Sequence, residues 1–176
     1  MKRPLLIAAI ALAIAAPVGP NASAQQSAAS TRTNIQNGMR MFMAGRYASA
    51  SHDFRAALHQ NPNDPVALLW KGVTLAALGR PRADQIFVLV NNDAVLGGAA
   101  EQLLALDDWH RSDIGDAKQV LDTCIHYSDI RWRSACVDMK KGVESGAAAP
   151  AVKDWPGDVG LLKVTKARAT VWKPKS

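Results

Sequence analysis

The chain has 176 residues, of which 48% are hydrophobic and 20% charged, with a formal net charge of +6. That is enough apolar material for the core of one domain of ordinary size, and the charge excludes a disordered polyanion or polycation. Two cysteines exclude a cysteine-rich disulfide scaffold, and the basic balance invites a test for nucleic-acid binding.

Met1-Lys2-Arg3 supplies positive charge, Leu5 to Ala16 is an unbroken apolar run, and Pro17 and Gly19 break it before Ala22-Ser23-Ala24. This is the layout of a secretory signal over residues 1–24, with cleavage between Ala24 and Gln25. The apolar run is short of the ~20 residues needed to span a bilayer. Export to an oxidising compartment, the periplasm in the simplest reading, follows from that layout. Without Lys2 and Arg3 the net charge falls from +6 to +4, and six basic and two acidic residues from Lys153 onward account for all of it. A neutral body without aromatic-basic stacking motifs argues against nucleic acid.

Residues 25–30 are small and polar and read as a flexible lead-in. Thr31 or Thr33 can cap a first helix ending near Ala44, and a second runs from about Ala48 to Gln60 with Ala50, Phe54, Ala57 and Leu58 on one stripe. Asp64-Pro65 opens the third, a capping Asp followed by Pro at the first helical position. On it Val66, Leu69, Trp70 and Val73 form one face and Leu68, Leu75 and Leu78 another, the pattern of a helix sandwiched between neighbours. A fourth starts at Pro81 with Ala83, Ile86, Phe87 and Val90 on its stripe. Residues 94–107 are apolar, with Gly97-Gly98 either loosening a helix or marking close packing. Ser112 or Asp113 caps a segment carrying Ala117, Leu121 and Cys124, and Ser128 or Asp129 caps a last one carrying Trp132, Cys136, Met139 and Val143, ended by Gly142 and Gly146. Residues 147–176 form a basic tail containing Pro and Gly, in which Leu161 to Trp172 offers a short strand or an adhering segment.

Gly38 and Gly72, and again Gly45 and Gly79, recur at an interval of 34 residues. Self-similarity at such a period marks helical repeats that must stack to bury their apolar faces. Gly38, Gly45, Tyr47, Ala50, Phe54, Ala57 and Pro62 in the first unit, with Gly72 and Gly79 in the second, resemble the tetratricopeptide repeat. The departures are Asn34, Asn37 and Met41 on the first helix, and Asp84, Val88 and Asn91 where the second unit should carry small and aromatic residues. The resemblance covers residues 31 to about 91. It implies an all-α, right-handed stack of helical hairpins over residues 31–146, with repeats at about 31–64 and 65–98, then a degenerate hairpin and a capping helix.

The family resemblance also implies a concave groove that takes peptides or extended segments. Carried over, its lining is Arg32, Ile35, Gln36, Met39, Phe42 and Met43 from the first unit, and Val66, Leu69, Trp70 and Val73 from the second. Two readings of this face stand side by side. It is either a ligand groove or core covered by the chain's own tail, for which Trp155, Leu161, Leu162 and Trp172 could serve.

Chemistry is sparse. Cys124 and Cys136 fall on stripes of helices expected to be antiparallel neighbours, so they form either a disulfide, worth roughly 3 kcal/mol, or two buried thiols. Twelve residues apart, they make a poor redox pair. His52 and His59 lie about 10 Å apart along one helix, too far to share a metal ion. Asp107, Asp108, Asp113 and Asp116 lack the order of a calcium loop and read as helix ends and caps. No phosphate loop, nucleophile elbow or dinucleotide fingerprint occurs. The expectation is a non-catalytic scaffold in a bacterial cell envelope, binding another protein or peptide without metal or cofactor. The alternative is an envelope-surface module whose basic tail binds anionic lipid or polymer.

Overall fold

The computed structural model describes residues 21–165. The described chain is all-helical: α1 (Asn21–Met43), α2 (Tyr47–Gln60), α3 (Pro65–Ala77), α4 (Ala83–Val88), α5 (Gly97–His110), α6 (Ile114–Tyr127), α7 (Ile130–Glu144) and α8 (Trp155–Asp158). Residues 161–165 are helical as well. From α1 to α7 each helix packs on the next, and α1 also touches α3, α3 touches α5 and α5 touches α7. One hydrophobic core runs from Ile35 through Trp70 and Leu103 to Leu161.

Most of the expected signal at 1–24 lies outside the described residues. The expected lead-in at 25–30 is helical instead, and the expected cleavage point falls inside α1. Thr31 and Thr33 are therefore mid-helix, donating back to the carbonyls of Ser27 and Ala29 rather than capping. Gln60, at the end of α2, accepts from Thr31 and donates to Ser30, which pairs this stretch with the second helix.

The 34-residue glycines have two distinct duties. Gly38 and Gly72 sit where α1 and α3 cross the following helix. A methyl group on either would come within 3.0 Å of the Phe54 or Phe87 ring, respectively. The second aromatic is Phe87, not a residue at the expected position 88; Val88 points outward at 49% exposure. α4 starts at Ala83 rather than at Pro81, with Arg82 as its N-cap. Gly97 and Gly98 likewise mark close packing, against the Asn91 backbone and the Trp132 ring. Gly142 lies inside α7 against Trp109 rather than ending the helix.

Gly45 and Gly79 have φ of 71° and 62° and end α1 and α3. Gly45 N–H bonds to Phe42 O and Arg46 N–H to Met41 O, while Gly79 and Arg80 repeat the pair with Ala76 and Leu75. This is the Schellman ending, in which a left-handed residue returns the last carbonyls to the chain. The same bonds close α5 through Ser112 (φ 67°) and α7 through Gly146 (φ 73°). The left-handed endings of α1, α3, α5 and α7 thus fall at 45, 79, 112 and 146, spaced 34, 33 and 34 apart, while Arg82 and Gly160 are left-handed outside this series. Ser112 is the tail of α5, not a cap of α6. A side chain there is strained, so Ser112→Gly is expected to raise stability by about 0.5–1 kcal/mol in a denaturant titration.

Asp64 caps α3 by accepting from Ala67 N–H, with Pro65 at the first position, and Asp129 caps α7 by accepting from Arg131 N–H. Cys124 and Cys136 form a disulfide joining α6 to α7, with Cα atoms 6.2 Å apart. Gln102 on α5 is 1% exposed and neither atom of its amide has a hydrogen-bond partner. Burying such a group costs roughly 1–3 kcal/mol, so Gln102→Met should stabilise the fold by a measurable part of that in the same titration.

Candidate functional site

The expected groove residues divide by burial. Ile35, Phe42, Val66, Leu69, Trp70 and Val73 are buried, Arg32 and Met39 are half-buried, and Gln36 and Met43 are exposed. Trp70, with no exposure at all, is the hub: its ring meets Phe42 edge-on at 5.5 Å and stacks on Phe54 at 5.9 Å. Its indole N–H donates to Thr165 Oγ1 at 3.2 Å, across 95 residues of sequence.

That bond shows what covers the face. After α7 the chain returns so that α8 packs on α3, with Trp155, Val159 and Leu161 joining the core. Trp155 meets the His110 ring at 5.8 Å and donates its indole N–H to Pro150 O. The six buried residues therefore do not line an open groove. The segment from Leu161, expected as a short strand or an adhering segment, is helical as far as 165 and adheres through Leu161 and Thr165. Trp172, the other expected cover, lies outside the described residues. A cleft of about 390 Å³ remains beside the cover, lined by Tyr47, Ala76, Ala77, Gly79, His110, Ala151, Val152 and Lys153.

A larger cleft of about 750 Å³ opens on another face of α3. Lys71, Leu75 and Leu78 come from α3 and its end, Arg55 from α2, Arg80 and Arg82 from the turn, and Ile86 and Leu89 from α4 and its end. Four of its lining residues are cationic and none is acidic. Sequence reading missed this site because its cations come from separate segments, 27 positions apart at the extremes, and form no run.

Asp107 and Asp108, at the end of α5, are nearly buried and share Arg111, with O···N distances of 3.3 and 2.6 Å. Burial pushes the Asp108 carboxyl up to about 6 against the opposing pull of Arg111. Asp107 is also raised, by burial first, with Arg111 opposing and Asp84 adding to the rise. A carboxyl whose folded pKa exceeds its unfolded value binds protons more tightly when folded. Stability from it therefore grows as pH falls through about 6 toward 4 and is lost as pH rises. Acidifying from pH 7 to about 5 is expected to stabilise the protein by on the order of 1 kcal/mol, discounted for the solvent-exposed Arg111. The gain should shrink in Asp108→Asn, as read from melting curves across that range.

Among the described residues, no group of three or more His, Cys, Asp or Glu side chains could hold a metal ion. Nor, among them, is any helix long and apolar enough to cross a membrane. No family model, curated protein or solved structure matches the chain. Two features remain on the described surface: the Trp70 side of α3, covered by residues 155–165, and the open cleft with its four cations.

Proposed function

We propose that this chain is an exported tetratricopeptide-type stack that holds another protein by shape and charge, without making or breaking bonds. The observation that carries this reading is the repeated geometry: Gly38 against Phe54, Gly72 against Phe87, and left-handed helix ends at 45, 79, 112 and 146. Such a period is the mark of stacked hairpins, whose value to a cell is an extended, rigid surface. The Cys124–Cys136 disulfide is compatible with an oxidising compartment, in keeping with the signal-like residues 1–24. With the inner face taken by residues 155–165, the partner is met on the outer surface. Crosslinking in intact cells followed by pull-down of the full chain tests this reading. Reproducible capture of one protein in near-equal amount is expected. Recovery of the bare chain only, or of anionic polymer released by salt, would contradict it.

A further inference from the structure

We infer that the cleft between α2, α3 and α4 is a docking site for a short acidic segment of another protein, one carrying leucine-type side chains between its carboxylates. This inference rests on the scaffold reading and names its contact surface. The floor is apolar, from Leu75, Leu78, Ile86 and Leu89, and Leu89 is 69% exposed. Arg55, Lys71, Arg80 and Arg82 surround it from three segments of chain. No carboxylate lies within ion-pair distance of any of the four among the described residues. The Coulomb preference of the site is thus unspent, and an incoming carboxylate meets cations that give up no partner.

Shape and charge select the occupant. The cleft measures about 750 Å³ and is an open concavity between helices, with Leu78 and Leu89 reaching solvent. A bilayer surface is planar and cannot follow a concavity between helices, whereas a peptide segment can. The chain's own remaining segments are the wrong sign: residues 166–176 carry Lys166, Arg168, Lys173 and Lys175 with no acid, and residues 1–20 carry Lys2 and Arg3 with none. Their charges have the same sign as the cleft's, which disfavours them as its occupants. The apolar floor in turn disfavours a bare inorganic anion, because Leu78 and Leu89 gain nothing from it.

The test uses the full chain and a fluorescent peptide of alternating leucine and glutamate, with its glutamine counterpart and vesicles of anionic phospholipid as comparators. Binding of the glutamate peptide is expected, weakened roughly tenfold or more by the exposed double variant Arg55→Glu/Arg82→Glu and by raising salt from about 0.05 to 0.5 M. Unchanged melting of that variant establishes that the fold is intact. Equal affinity for the glutamine peptide, no loss in the double variant, or binding of vesicles without the peptide would overturn the proposal. Self-association of the chain that the double variant abolishes would overturn it too, in favour of a second copy as the occupant. If the crosslinked partner is still captured by the double variant, the cleft assignment fails while the scaffold reading stands.

Discussion

Gly72→Leu is expected to lower the melting temperature by roughly 6–12 °C, corresponding to about 3 kcal/mol or more of overpacking. The reason is a ring with nowhere to go. Phe87 has no exposed surface, and even a single methyl at Gly72 would come within 3.0 Å of it. Gly38→Leu should act alike through Phe54, which is equally buried. Gly115 supplies the contrast, being helical with open space around its Cα. There Gly→Ala gains helix propensity of up to ~1 kcal/mol and should leave the melt unchanged or raised. The opposite signs distinguish glycines that admit a ring from glycines that merely occupy a helix. Differential scanning calorimetry of the three variants measures it, and equal melting of Gly72→Leu and the parent would sink the close-packing explanation.

Deleting residues 153–176 should be the most damaging change of all. The deletion removes Trp155, Val159 and Leu161, all buried, and uncovers Trp70. At about 1.5–3 kcal/mol for each large apolar side chain, the loss is about 5 kcal/mol or more, comparable with the whole stability of many domains. The truncated chain is expected to melt at least ~10 °C lower, or not to fold, and to bind a hydrophobic dye strongly. A melt within a degree or two of the parent would mean that the inner face does not need its cover. The even choice that sequence left between ligand groove and core would then return to the groove.

What was legible in the sequence is what local chemistry writes. Gly38 and Gly72 marked the 34-residue interval, though not the rings they admit, while Asp64-Pro65 announced the start of α3 and the apolar stripes the neighbouring helices. The cysteine pair was readable because both members lay on stripes of adjacent helices. The third left-handed turn was hidden because serine, not glycine, occupies position 112, and the 34-residue register therefore looked broken after Asn91. The stripe of Ala83, Ile86, Phe87 and Val90 was legible too, and all four are buried, while Val88, a departure from the repeat pattern, is exposed. Residues 25–30 resembled a linker because Ala, Ser and Gln leave no apolar stripe; their helix continues into one held by Thr31 and Gln60. The cover was least readable, since the bond joining Thr165 to Trp70 spans 95 residues and no local pattern encodes it. The basic cleft failed for the same reason, its cations converging only once three segments pack.

The cover of α3 by residues 155–165 places one proton in a distinctive position, the indole N–H of Trp70. In the isotopically labelled full chain, its NMR signal should show cross-relaxation to the Thr165 side chain and resist exchange with water for as long as the core stays closed. An indole proton that exchanges freely and shows no contact with residues 155–165 would contradict the self-filled stack directly.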